Sequence, residues 1–163
     1  MITEIISGGQ TGADRAALEV AIRNGFPHSG WCPKGRRAED GVIGSQYNLM
    51  ETPTAGYLQR TEWNARDSDG TAILTFSAEL GGGSKKTAAF AEKLGRPWIH
   101  IARSLESQPA VTLQRFVEEN GIARLNVAGS RESKEPGIYQ WVCDVIEDAF
   151  FSENRHRVTR RLV

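Results

Sequence analysis

Apolar and polar positions fall in blocks along this chain. Apolar-rich runs at residues 2–6, 70–76, 98–102 and 123–127 read as strands buried on both faces of a sheet. Between them lie segments with helical spacing. Residues 13–24 carry Leu18, Ala21 and Ile22 on one stripe, residues 109–120 carry Val111, Leu113, Phe116 and Val117, and residues 138–151 carry Trp141, Val142, Val145 and Ile146. Two further helices are predicted over 55–66, with Thr54 as a possible N-cap, and over 85–94. Gly25, Gly95 and Gly121 stand where helices should stop. Residues 49–52 suggest a short strand. The pattern fails over 26–44, which contains Pro27, Gly30, Pro33, Gly35, Gly41 and Gly44 and predicts a long irregular segment, often a functional one.

Strands alternating with helices predict an α/β fold of three layers: a parallel sheet with helices on both faces. The expected organisation is one domain over 1–151 and a basic tail over 152–163, which holds Arg155, Arg157, Arg160 and Arg161. Ligands in such sheets bind at the carboxyl ends of the strands. Three loops follow predicted strands, 7–12, 77–84 and 128–133, so all three should converge on one edge.

The first loop organises the rest. Ser7-Gly8-Gly9-Gln10-Thr11-Gly12-Ala13-Asp14-Arg15 joins a strand to a helix. Glycines let backbone N–H groups approach a ligand, the helix start adds partial positive charge, and Arg15 can add a full one. The spacing matches neither the dinucleotide fingerprint nor the Walker loop, so the word predicts an anion cradle without naming the anion. It also reads as a tight turn capped by Thr11, with Asp14 completing a capping box. Gly81-Gly82-Gly83-Ser84 repeats the logic, with Ser84 as cap and donor. Lys34, Arg36 and Arg37, beside Trp31, suit an anionic ligand with a flat ring. Arg60, Thr61 and Asn64 lie one helical turn apart and can face the same site.

Composition narrows the classes. The 163 residues carry 20 basic and 20 acidic side chains, so no global charge favours nucleic acid. No apolar run approaches a membrane span, and the start lacks a signal peptide, which predicts a soluble cytoplasmic protein with reduced thiols. Cys32 and Cys143 stand in no metal spacing, and His28, His100 and His156 are isolated, so no metal ligands are assigned. Cys32 lies beside basic residues that can lower its pKa, but it has no nearby base. Asp67 and Asp69 are a carboxylate pair before a strand, suited to acid–base work or to shaping a turn.

The words Gly8 to Leu18, Gly30-Trp31-Cys32-Pro33-Lys34-Gly35-Arg36 and Ala38-Glu39-Asp40-Gly41 resemble the molybdenum-cofactor carrier family. So do Glu51-Thr52, Arg60-Thr61-Glu62-Trp63-Asn64, Asp67-Ser68-Asp69-Gly70-Thr71, Asn126-Val127-Ala128-Gly129 and the stretch 132–139. That family looks like a branch of the SLOG superfamily of Rossmann-like nucleotide-binding proteins. The resemblance implies a Rossmann-like fold, a homo-oligomer (dimer or tetramer), and carriage or storage of molybdenum cofactor without catalysis, in exchange with molybdoenzymes or cofactor-synthesis proteins. The cofactor-binding set expected from loops and likeness together is Gly8, Gly9, Gln10, Thr11, Gly12, Asp14, Arg15, Lys34, Gly35, Arg36, Asp69, Gly70, Thr71, Gly81, Gly82, Gly83, Ser84, Asn126 and Gly129. The alternative is a nucleotide-binding sensor or hydrolase, with Asp67, Asp69 and Glu132 supplying chemistry. The SLOG phosphoribohydrolase word has a Pro before its glycines and a Glu soon after, and Gly81 to Thr87 offers neither.

Overall fold

A computed structural model describes residues 1–152. In chain order the elements are β1 (Glu4–Ile6), α1 (Ala13–Arg23), β2 (His28–Ser29), β3 (Trp31–Cys32), β4 (Arg37–Ala38), β5 (Gly41–Val42), β6 (Met50–Glu51), α2 (Tyr57–Asp67), β7 (Gly70–Thr75), α3 (Gly82–Lys93), β8 (Trp98–Ala102), α4 (Pro109–Glu119), β9 (Arg124–Gly129) and α5 (Ile138–Phe150). Five of the strands form one sheet in the order β2-β1-β9-β7-β8, every pair parallel. Helices α1, α4 and α5 pack together on one face, and α2 and α3 pack together on the other. The expected α/β, Rossmann-like layering is present.

The strand order carries information that local pattern does not. Counted from β9, the sheet runs 3-2-1-4-5, the order of a doubly wound sheet. The strand that opens that order is therefore the last one in this chain. The reversal point, where such sheets form a crevice, lies between β9 and β7.

Central strands are buried on both faces, and their sequences follow. All six residues of β7 are buried. Ile5, Leu74, Leu125 and Val127 join Val20, Leu113, Ile138, Val142 and Ile146 in the main core. Each large aliphatic side chain so buried contributes about 1.5–3 kcal/mol of transfer free energy. A second cluster, Leu18, Cys32, Ile43, Tyr47 and Leu49, lies under the long connection after β2.

That connection is where the sequence reading departs from the fold. Residues 26–44 are not wholly irregular: β2 extends the main sheet beside β1, β3 pairs with β6, and β4 with β5. Strands of two residues are too short for any periodicity to show. Arg36 holds this region together by donating to four carbonyl oxygens, those of Ile43, Leu49, Gly44 and Tyr47, at 2.8–3.1 Å. Helix α3 begins earlier than expected, with Gly82 and Gly83 in its first turn. Helix α2 starts at Tyr57 with Gly56 as its N-cap, so Thr54 does not cap it and bonds Gln59 instead. The arginines of the tail, and His156, lie outside the described residues.

Candidate functional site

Three loops meet at the carboxyl edge of the sheet and enclose a cavity of about 390 Å³. That is within the ~300–1,000 Å³ usual for small-molecule sites. Gly8, Gln10 and Asp14 line it after β1; Thr75, Ser77, Glu79, Gly81, Gly82, Gly83 and Ser84 after β7; and Asn126 to Arg131, with Lys134 and Glu135, along and beyond β9. Arg60, Thr61 and Asn64 close it from α2, and Thr87 from α3.

The three helix starts at this edge differ in what they offer a ligand. At α1 the first turn is already occupied. Ala13 N–H donates to the Ser130 carbonyl at 3.1 Å, and Gln10 N–H donates to the Asp14 carboxylate at 3.3 Å. Gly12 is needed there because a Cβ would lie 2.3 Å from the Ser130 oxygen, and its φ is +78°. Thr11 and Asp14 do not make the expected capping box. The Thr11 hydroxyl donates to Glu39 and accepts from Glu132 N–H, while Asp14 pairs with Arg60. At α5 the Glu132 carboxylate accepts from Gly137 and Tyr139 N–H groups at 2.6 and 3.0 Å, which fills that start too.

Helix α3 is the exception. Its N-cap is Gly81, no side chain caps it, and Ser84 N–H and Lys85 N–H turn back to the Gly81 carbonyl. Ser84 thus sits inside the helix and does not cap it. The N–H groups of Gly82 and Gly83 find no acceptor among the described residues. A Cβ at Gly81 or Gly83 would meet nothing within 4 Å, and at Gly82 only the Lys134 ammonium at 3.8 Å. Lys134 makes no ion pair among the described residues. Open amides, the helix dipole and a free ammonium together favour an anion.

The floor under β1 is different. Arg60 Nη1 meets Asp14 Oδ2 at 2.9 Å, with both side chains about 10% exposed. Gly8 makes room for this pair, since a Cβ there would lie 1.9 Å from Arg60 Nη1. Burial pushes the Asp14 carboxyl above its ordinary value, against the pull of Arg60. Two buried donors in this wall, Gln10 Nε2 and Arg60 Nε, have no partner among the described residues. On the β7 side, Glu135 accepts from Phe76 and Ser77 N–H groups at 2.7 and 2.9 Å. Partial burial pushes the Glu135 carboxyl up, but these two bonds hold it below its usual range. His100 Nε2 lies 2.6 Å from the Thr75 hydroxyl, which itself donates to the Ser77 carbonyl at 2.7 Å, so the imidazole nitrogen is the donor. Burial depresses His100, opposed by Glu135.

Of the residues expected to bind ligand, the structure brings Gly8, Gln10, Asp14, Gly81, Gly82, Gly83, Ser84, Asn126 and Gly129 to the cavity. It places the others elsewhere. Gly9 faces Leu49 and Ile43, Gly12 packs on Ser130, and Thr11 joins Glu39 to Glu132. Arg15 is committed to the Gly9 carbonyl and Asp40. Lys34 is exposed away from the cavity, Gly35 donates to Glu51, and Arg36 is consumed by carbonyls. Asp69 and Gly70 lie at the amino end of β7, on the far edge of the sheet, where Asp69 accepts from Ala123 and Arg124 N–H groups. Thr71 is buried in the sheet, accepting from Asn126. Trp31 donates to Asp67 and packs edge-on against Trp63, so neither Trp31 nor Asp67 faces the cavity.

Arg60, Thr61 and Asn64 do face it, as their helical spacing allowed. Thr75, Thr87, Lys134 and Glu135 join the lining and were not in the expected set. Lys134 and Glu135 stand just past the loop at 128–133, inside the stretch 132–139 that carries the family resemblance, which by itself did not single them out as ligand contacts. Burial raises the thiol pKa of both Cys32 and Cys143, which opposes the reactivity considered for Cys32. Among the described residues no three His, Cys, Asp or Glu side chains converge as metal ligands, and no helix is long and apolar enough to cross a membrane.

A doubly wound sheet with an open helix start at its reversal point defines the class as Rossmann-like proteins. The model of the circularly permutated YpsA SLOG family matches residues 5–150, and the chain belongs to that family. The permutation agrees with the strand order, in which the opening strand comes last. The chain is 46% identical to a solved structure from Syntrophus aciditrophicus SB named "Putative molybdenum carrier protein", with a TM-score of 0.89 over 91% of this chain and 95% of that one. No curated protein matches the chain.

Proposed function

We propose that the cavity binds and carries a phosphate-bearing heterocycle, with molybdenum cofactor as the cargo, and releases it unchanged. The observation that carries this reading is the open start of α3 between Gly81 and Ser84, with Lys134 beside it. It is the natural seat for a terminal phosphate, and it opens into the crevice at the reversal point. The name of the Syntrophus protein supports the molybdenum part of the reading. The carboxylates first considered for catalysis have structural work: Glu132 fills the α5 start, Asp69 binds two backbone amides, and Asp67 holds Trp31. Among the described residues the cavity lining contains no aromatic ring, so a pterin is held by its polar edge and not by stacking.

Binding of a nucleotide is the second reading, favoured by the same crevice, which nucleotides occupy in doubly wound sheets. Mass spectrometry of the small molecule released from anaerobically purified protein separates the two. A pterin or its oxidised product supports the carrier, and a nucleotide replaces it. In either case Lys134→Ala should weaken binding about 10–150-fold, the loss of one charge-assisted hydrogen bond worth ~1.5–3 kcal/mol net of exchange with water. Unchanged affinity removes the phosphate from α3.

A further inference from the structure

We propose that the cavity floor reads the ring edge of its ligand, selecting an oxo-heterocycle with an adjacent ring N–H over an amino-heterocycle. The inference rests on the reading that phosphate sits at α3, and it concerns the opposite end of the same ligand.

The Gln10 amide is oriented by its surroundings. Its Oε1 accepts from Thr11 N–H at 3.0 Å and from Glu39 N–H at 2.9 Å, so Nε2 is the end left over. Gln10 is 5% exposed and lines the cavity, and that nitrogen has no partner among the described residues. Arg60, 8% exposed, lines the same wall with its Nε likewise unpartnered. Buried donors without acceptors are rare in folded proteins, and two in one wall call for an acceptor from outside. Asn64, on the same helix as Arg60, shows the contrast: its amide is used on both sides by the Trp31 backbone.

Charge says what kind of acceptor fits. Arg60 is already matched one to one by Asp14 at 2.9 Å, so the floor has no surplus positive charge for an oxyanion. A neutral carbonyl suits it. Asp14 adds the complementary half. Both of its hydrogen bonds, from Arg60 and from Gln10 N–H, fall on Oδ2, and Oδ1 accepts none among the described residues. Donors beside a free carboxylate oxygen match a ring carbonyl beside a ring N–H. An adenine-type edge presents the reverse order, an amino donor beside a ring acceptor, and leaves the buried donors unpaired. The spacing is suitable. The floor follows β1 and the phosphate seat follows β7, with β9 between them, so the two ends lie about 10 Å apart, two interstrand spacings. That is the reach of a nucleoside monophosphate or a phosphorylated pterin.

Inosine and adenosine monophosphates differ only at this edge, and calorimetric titration of the purified protein with each tests the proposal without any mutation. The expected result is inosine monophosphate binding at least about tenfold more tightly. Equal affinities, a preference for adenosine monophosphate, or binding of neither by protein that still binds inorganic phosphate, overturns it. Gln10→Glu keeps the oxygen that holds Thr11 and Glu39 and replaces the donor with an acceptor, so it should erase or invert the ratio. A folded variant with the ratio intact removes Gln10 from the readout. Lys134→Ala should weaken both nucleotides equally and leave the ratio unchanged. If it weakens neither while the ratio persists, the phosphate placement fails and the edge readout stands.

Discussion

The substitution Arg60→Met isolates the buried pair beneath the cavity. The wild-type pair is 2.9 Å long, and both side chains are about 10% exposed. Removing the guanidinium leaves the Asp14 carboxylate with one bond, the 3.3 Å contact from Gln10 N–H. Stranding one member of such a pair costs about 3–5 kcal/mol. In a domain of this size that corresponds to a fall in Tm of about 6–20 °C at neutral pH. The loss should depend on pH in a defined direction. Burial raises the Asp14 carboxyl in the fold, and Arg60 opposes the rise. A group raised on folding contributes its stability below the ordinary carboxylate range and loses it as pH climbs through the folded value. Without Arg60 the folded value climbs further. Wild type and the Arg60→Met variant should therefore differ little at about pH 3, where the carboxyl is protonated in both, and diverge toward neutrality. Urea titrations of both proteins across that range supply the measurement. A neutral-pH loss under about 1 kcal/mol, or an equal loss in acid, refutes the account of the pair.

Two further outcomes follow from packing. Gly12→Ala puts a Cβ 2.3 Å from the Ser130 carbonyl at a positive φ, and should cost about 1–3 kcal/mol in chemical denaturation with the cavity chemistry otherwise intact; a neutral variant would show that the 128–133 loop yields freely. Cys32 and Cys143 are both buried and their thiols are raised by that burial, so a thiol-specific reagent at neutral pH should label neither in the folded protein and both after denaturation.

Much of the fold was legible because its signals are local. The buried run of β7, the apolar run of the edge strand β8, the stripes of α1, α4 and α5 and the glycine stops depend on residues a few positions apart. What escaped depends on distant ones. Nothing near Arg124 announces that β9 enters between β1 and β7, yet that placement sets the reversal point and with it the cavity. Apart from β6, expected over 49–52, the two-residue strands after Gly25 are defined by pairing alone.

The site followed the same division. Glycine words marked the starts of α1 and α3, and a predicted loop led into α5, but whether a start is open depends on what folds over it. Ser130, more than a hundred residues from the first loop, closes α1, Glu132 closes α5, and α3 stays open. Lys34, Arg36 and Trp31 looked like a ligand loop because charge and an aromatic ring occur together there. Arg36 is spent on four carbonyls and Trp31 on Asp67, which sequence cannot show. Asp69 fell on the wrong edge because a strand's two ends look alike until its direction in the sheet is known.

On the proposed reading the ligand's phosphate rests on α3 and not on the glycine loop at α1. A crystal structure of the protein loaded anaerobically with molybdopterin tests it most directly. Phosphate is expected within hydrogen-bond reach of Gly82 and Gly83 N–H and of Lys134. Phosphate cradled by Gly9 to Gly12, or held by Lys34 and Arg36 outside the cavity, contradicts it.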